Sequence, residues 1–215
     1  PWENLPEAPG AGAFVSRQRL ASLEALARGE GVVVATAPAL LRVLPPPEVF
    51  RAACRVLEEG QVFDPEELVR HLVRTGYQPA ELVETPGKFS RRGGIVDFFP
   101  PAAASPVRVE FFGDVVESLR LFEPATQRSR EKVDRAVLSP AVEGVLPPGE
   151  AQAAAARLEA DYRQFAGRLS SPQAAARLDT WVSETLALLR AGGAVVNGEA
   201  LLPYVYEQTA QLVDY

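Results

Sequence analysis

The stretch PVRVEFFGDVVESLRLFE (residues 106–123) alternates apolar and polar residues on both sides of Gly113-Asp114. Such alternation is typical of strands that bury one face, and a glycine–aspartate pair between them favours a tight turn. A two-residue loop at this pair would set Glu110 opposite Glu117, an unfavourable pair of like charges. We therefore predict an antiparallel hairpin with a three-residue loop at 113–115, which separates an apolar from a polar face. The apolar face holds Val107, Val109, Leu119 and Leu121, and the polar face holds Arg108, Glu110, Ser118 and Arg120.

A helix is predicted upstream of this hairpin, in FDPEELVRHLVRTGY. Asp64 is a typical N-cap, Pro65 suits the first helical position, and Gly76 ends the helix. His71 lies among charged residues, which predicts a solvated imidazole rather than a catalytic one. The predicted buried stripe consists of Leu68, Val69, Leu72 and Val73.

Prolines at 45–47 and at Pro140 mark two candidate domain boundaries, because proline can continue neither a helix nor a central strand. Between them, FRAACRVLEEG (50–60) and KVDRAVLSPA (132–141) predict further strands. The region from about 45 to 140 is therefore predicted to be a small α+β unit with an antiparallel sheet.

The two flanking regions have a different pattern. Residues 16–28 predict an amphipathic helix, and VVVATA (32–37) predicts a strand covered on both faces. Residues 150–169 and 171–193 are rich in alanine, leucine, arginine and glutamate, and predict two helices. The small α+β unit is thus predicted to lie between two flanking segments, the second of which is helical.

Composition limits the possible functions. The 215 residues carry a formal net charge of −6, and residues 64–140 hold 11 Lys+Arg against 12 Asp+Glu. A sequence-independent nucleic-acid binder normally shows a basic surplus, so this balance argues against one. Cys54 is the only cysteine and His71 the only histidine, which excludes an intrachain disulfide and a multi-histidine metal site. The lack of an apolar run of ~18 residues predicts no membrane partner. The single cysteine is consistent with the reducing cytoplasm, where we expect the protein to be located.

The stretch ETPGKFSRRGGIVDFFPP (84–101) places an arginine pair beside two glycines. In a strand Arg91 and Arg92 would point to opposite faces, and Gly93-Gly94 would allow a bulge or a close backbone approach. Two interpretations follow from the residues alone. The arginines either bind carboxylates of a partner protein or are solvated edge residues that discourage aggregation.

No catalytic or cofactor-binding motif is found in the sequence. A phosphate-binding P-loop needs a lysine after a glycine-rich loop, and neither Lys88 nor Lys132 has that setting. The carboxylates Asp97 and Glu110 have no convergent base or metal ligand in the pattern. We therefore expect no enzymatic activity, no cofactor and no metal in this chain.

Several segments resemble the UvrB-homology module of the bacterial transcription-repair coupling factors, the Mfd family. The resemblance is carried by GYQPAELVETPGKFSRRGGIVDFFPP (76–101), PVRVEFFGDVVESLRLFEPATQRS (106–129) and LSPA (138–141). PWENLPE (1–7) and LLPYVYEQTAQLVDY (201–215) are similar to other parts of that module. The similarity therefore extends over nearly the whole chain.

This resemblance implies a fold that is part α/β and part α+β. It would be a degenerate, RecA-like domain without a P-loop, split by an inserted small domain with an antiparallel sheet. Residues 1–44 and 141–215 would form the two parts of the UvrB-like domain, and residues 45–140 the inserted UvrA-binding domain.

The implied function is that of a non-catalytic interaction module. It would recruit UvrA, the damage-recognition ATPase of nucleotide excision repair, to stalled RNA polymerase. An alternative is an accessory domain that contacts DNA directly.

The resemblance also describes a longer parent protein. That parent is expected to be an ATP-dependent DNA translocase whose C-terminal motor uses ATP. It would bind RNA polymerase and double-stranded DNA through other domains, and its C-terminal domain would contact this module.

The candidate partner-binding residues follow from the same alignment. UvrB contacts UvrA through arginines whose positions fall here on Pro79, Ser90 and Arg92. The predicted UvrA-binding set is Arg92, with Arg91, Lys88 and Ser90 beside it.

Overall fold

Helices and two β-sheets make up most of the described structure. It is a computed structural model that describes residues 13–29, 31–147, 149–166, 168–169, 171–191 and 201–215. The resemblance at 1–7 and the last residues of the helix predicted over 171–193 lie outside the described residues. The helices are α1 (Ala13–Arg28), α2 (Ala37–Leu40), α3 (Pro47–Ala53), α4 (Pro65–Arg74), α5 (Ala151–Ala166), α6 (Pro172–Arg190) and α7 (Leu202–Val205). The strands are β1 (Arg55–Glu58), β2 (Gln78–Pro79), β3 (Lys88–Arg92), β4 (Ile95–Phe98), β5 (Val107–Phe112), β6 (Val115–Phe122), β7 (Ser129–Val133) and β8 (Arg135–Leu138).

The central part of the chain is an open, six-stranded sheet with the order β2-β3-β4-β5-β6-β7. Its pairings are antiparallel except for the short parallel pair of β2 and β3, and β1 pairs with β8 in a separate two-stranded sheet. Helix α4 packs on one face of the large sheet, where Leu68 and Leu72 join a core with Val96, Val109 and Leu119. This mixed α+β arrangement confirms the predicted antiparallel sheet.

The β5–β6 hairpin has the tight two-residue turn of one candidate register and, beyond a bulge, the strand pairing of the other. Val107 pairs with Leu121 and Glu110 with Ser118, as predicted, but the loop is the two-residue Gly113-Asp114 rather than 113–115. The register shifts between Glu110 and Phe111, so Glu117 is an extra residue opposite no partner. This bulge separates the like charges of Glu110 and Glu117 while it keeps the tight turn.

Helix α4 begins as predicted, because the Asp64 carboxylate accepts a hydrogen bond from the Glu66 backbone N–H at 2.9 Å. The prediction of a solvated His71 was wrong. Its side chain is buried, and Nε2 lies 2.9 Å from the Ala53 carbonyl oxygen. Burial and then the nearby Arg55 charge lower the pKa of His71 to about 4. The buried face runs through Leu68, His71 and Leu72, and Val73 of the predicted stripe is exposed.

Of two strand predictions near the first boundary, the one over 50–60 was right only for its second half and the one over 32–37 was wrong. Residues 50–60 divide into the end of α3 and strand β1, because Pro47 starts a helix that buries Phe50 and Ala53. Residues 32–36 form no strand, and Val32 and Val34 are each 92% exposed. An apolar run becomes a buried strand only where a neighbour pairs with its backbone, and no strand of the described residues does so.

The flanking regions are largely helical, as predicted for α1, α5 and α6. Helices α5, α6 and α7 share one apolar core, and α1 and α3 share another that also includes Leu44. An ion pair between Arg19 of α1 and buried Glu143 joins the first flank to the segment after β8. None of the described helices is long and apolar enough to cross a bilayer.

A candidate partner-binding face of the sheet

The face of the six-stranded sheet that is turned away from α4, here called the outer face, carries aligned polar side chains. Residues directly opposite each other on neighbouring strands share a face, so the strand register defines rows across the sheet. The first row is Ser90, Asp97, Arg108, Arg120 and Lys132. The second row is Arg92, Ile95, Glu110 and Ser118.

Asp97 is the buried centre of this face. Only 1% of its side chain is exposed, and both carboxylate oxygens accept hydrogen bonds from Arg108, at 2.8 Å each. The Arg108 guanidinium also lies over the Phe122 ring, 4.9 Å from its centroid, and donates to the Gln127 carbonyl oxygen at 3.3 Å. The hydrogen bonds that Arg108 donates to Asp97 raise the pKa of Arg108. Arg108 is therefore a fixed structural cation that holds the Asp97 carboxylate in place.

Arg92 binds the same carboxylate from the surface. Its Nη2 donates to Asp97 Oδ2 at 2.7 Å, while 49% of its side chain remains exposed. A guanidinium carries several N–H donors, so this bond leaves further donors for another acceptor. Asp97 thus fixes the orientation of Arg92 without neutralising the face, because one carboxylate serves two arginines.

The other predicted binding residues lie in different settings. Arg91 is on the α4 side of the sheet, where its Nη1 lies 2.6 Å from Glu66 Oε1. Lys88 donates to Gln78 Oε1 at 2.6 Å, and buried Ser90 donates to the Glu81 carbonyl oxygen at 3.2 Å. The structure therefore places Arg91 and Arg92 on opposite faces, as predicted, and brings the four residues to one strand but not to one surface.

The glycine pair next to Arg92 forms the turn from β3 to β4. Gly93 adopts a positive φ of 60°, and a Cβ atom on Gly94 would lie 3.0 Å from the Phe111 carbonyl oxygen. The Gly94 carbonyl also accepts a hydrogen bond from the Phe111 N–H at 2.8 Å. The predicted close approach of another backbone is confirmed, and it holds the β3–β4 turn against β5.

Residues 56–143 match the family model described as the UvrB interaction domain. This part of the chain therefore belongs to that family. The sheet, α4 and the outer face all lie within the matched residues.

Curated relatives extend the similarity beyond the UvrB interaction domain. The chain is 33% identical over 199 residues to the transcription-repair-coupling factor of Bacillus subtilis, covering 92% of this chain and 17% of that protein. It is 39% identical over 192 residues to the factor of Myxococcus xanthus, covering 88% of this chain and 15% of that protein. The Mycobacterium tuberculosis factor is 33% identical over 215 residues, covering 95% of this chain and 17% of that protein. The chain thus spans 15–17% of the length of these relatives.

Sequence reasoning missed the contact between Asp97 and Arg108 in the UvrB interaction domain. The sequence suggests Glu110 as a neighbour of Asp97, but Glu110 stands opposite Ile95 and Arg108 stands opposite Asp97. The available signal was the alternation in IVDF (95–98), which puts Asp97 on the polar face with Arg108. Pairing the two residues additionally required the β4–β5 register, which a single sequence does not supply.

Proposed function

We propose that this chain is a non-catalytic protein-interaction module that binds UvrA through the outer face around Arg92. In this role it recruits UvrA to a stalled RNA polymerase during nucleotide excision repair. The proposal is carried by the half-exposed Arg92, held by buried Asp97, within a domain that matches the UvrB interaction family.

The geometry supports recognition of a carboxylate. Arginine binds carboxylates through parallel hydrogen bonds, and a side chain that is already oriented loses less conformational entropy on binding. The outer face carries Arg92, Arg108, Arg120 and Lys132 against Asp97 and Glu110. Glu59 pairs with Lys132 at 2.8 Å, so only a small basic surplus remains. An acidic patch on UvrA would complement this local charge, although the whole chain is acidic with a formal charge of −6.

The remaining binding residues have supporting roles in this proposal. Lys88 adds a third basic group on β3, and Arg91 fixes the strand to α4 through Glu66. Ser90 stands where UvrB carries an arginine, and its hydroxyl ties β3 to the segment at Glu81. Arg92 therefore supplies the principal contact with UvrA.

The names and lengths of the relatives support a proposal about the parent protein. The chain would be one part of a transcription-repair coupling factor whose ATP-driven DNA translocase, RNA polymerase contacts and DNA contacts lie in other domains. Within the chain, residues 45–140 would be inserted between the two parts, 1–44 and 141–215, of a degenerate RecA-like domain. In the parent, the C-terminal domain would cover the outer face until repair begins.

The direct test is a calorimetric titration of the purified chain with UvrA and, separately, with duplex DNA. We expect saturable binding to UvrA and no measurable binding to DNA at physiological salt. Binding to DNA that falls steeply as salt rises, without binding to UvrA, would instead support the DNA-contacting alternative. A chain that binds neither would refute the recruitment role.

A further inference from the structure

An apolar strip crosses one end of the outer face, one row beyond the row of Arg92. Val62 pairs with Val115, and Val115 pairs with Phe112, so the three side chains form a third row across neighbouring strands. Phe112 is 78% exposed and Val62 is 69% exposed. Strand β5 alternates regularly from Arg108 through Glu110 to Phe112, which places the strip on the same face as the polar rows.

The turn beside Phe112 leaves its ring open to solvent. Ile95 stands opposite Glu110, and continuing that register places Gly94 opposite Phe111 and Gly93 opposite Phe112. The hydrogen bond from the Phe111 N–H to the Gly94 carbonyl confirms the placement of Gly94. Because neither glycine has a side chain, this turn places no side chain opposite the exposed Phe112 ring.

The position of the strip distinguishes it from scattered exposed residues. A single exposed valine or leucine is ordinary on a protein surface. Here an aromatic ring, two aligned valines and an oriented arginine lie in neighbouring rows of one sheet face. Aromatic and arginine side chains are the types enriched where binding energy is concentrated.

We propose that Val62, Val115 and Phe112 form the apolar half of the UvrA-docking face, with Phe112 inserted into an apolar pocket of UvrA. On UvrA, this pocket would lie beside the carboxylate that Arg92 contacts, because the polar rows and the apolar strip are continuous on the outer face. The inference rests on the proposed binding of UvrA and adds the anchor residue and the chemistry of the complementary surface.

The test compares the UvrA affinity of the chain with that of Phe112→Thr, measured by calorimetry. Threonine retains the preference for a strand, so the exposed site is expected to fold normally. Leu41→Thr is the matched control, because Leu41 is 74% exposed and lies outside the matched domain. We expect Phe112→Thr to weaken binding about tenfold or more and Leu41→Thr to leave it unchanged.

A salt series separates the two halves of the face. Raising the ionic strength should reduce the penalty of Arg92→Glu, because charge interactions are screened, and should leave the Phe112→Thr penalty unchanged. Wild-type binding with an unaffected Phe112→Thr variant would overturn this inference and leave the UvrA proposal intact. No binding by the wild-type chain would overturn the UvrA proposal, and this inference with it.

Discussion

At the scale of single residues, the outer face depends on how two arginines share Asp97. Arg108 is 14% exposed and binds both carboxylate oxygens, whereas Arg92 is 49% exposed and binds one of them. The sequence predicted that Arg92 lies on the polar face, since alternation in a strand is local. It could not predict the shared carboxylate, because that contact joins residues on three strands through the sheet register.

Replacing Asp97 should therefore destabilise the domain far more than replacing Arg92. In Asp97→Ala the largely buried Arg108 charge loses its partner, and we expect the free energy of unfolding to fall by about 3 kcal/mol. Arg92→Ala should cost less than about 1 kcal/mol, because solvent screens the half-exposed pair. Urea denaturation followed by circular dichroism measures both values. Equal losses would mean that Arg92 is a structural residue and not an interaction residue.

His71 should titrate far below a free imidazole. It is the only histidine, so its ring signals are directly assignable in a proton NMR titration, and we expect a pKa of about 4. The folded pKa lies below the ordinary value of 6.5, so the neutral ring stabilises the fold fully above pH 6.5. This contribution is lost as the pH falls from 6.5 towards 4. A measured pKa near 6.5 would instead indicate that the His71 side chain is exposed to solvent, as the sequence predicts.

At the scale of elements, local signals were sufficient where one short segment contained all the information. The predicted cap of α4 at Asp64 is confirmed, since its side chain accepts a backbone hydrogen bond of its own helix. The bulge at Glu117 and the unpaired segment 32–36 were not predictable in this way. Both depend on which strand lies alongside, and that is decided by tertiary packing.

The turn after α4 offers a test of packing between elements. Gly76 has a φ of 90°, and a Cβ atom there would lie 2.6 Å from Val142 Cγ1. Gly60 has a similar φ of 82° with nothing within 4 Å of a Cβ atom, which makes it the matched control. We expect Gly76→Ala to lower the free energy of unfolding by about 2–4 kcal/mol, and Gly60→Ala by about 1 kcal/mol. Similar losses for the two variants in urea denaturation would show that the Val142 side chain moves aside and that backbone strain alone accounts for the loss of stability.

At the scale of the whole molecule, separate apolar cores divide the described chain. One core underlies the six-stranded sheet, and others join the helices of the flanks. Helix α3 packs with the flanking helices through Phe50, while the family match begins at residue 56. The domain boundaries at residues 44 and 140 stay predictions, because only prolines in the sequence indicate them. The RecA-like character of the flanks also stays a prediction.

The central claim is that Arg92 on the outer face is the principal contact with UvrA. It is tested most directly by the UvrA dissociation constants of Arg92→Glu and Arg163→Glu, measured side by side by calorimetry. Arg163 is 74% exposed on α5, so its reversal changes the net charge equally at a distant site. Arg92→Ala accompanies them, and circular dichroism verifies the fold of each variant. We predict that Arg92→Glu weakens binding about 30-fold or more and that Arg163→Glu binds as the wild type does. Equal affinities for folded Arg92→Glu and wild-type chains would contradict the account.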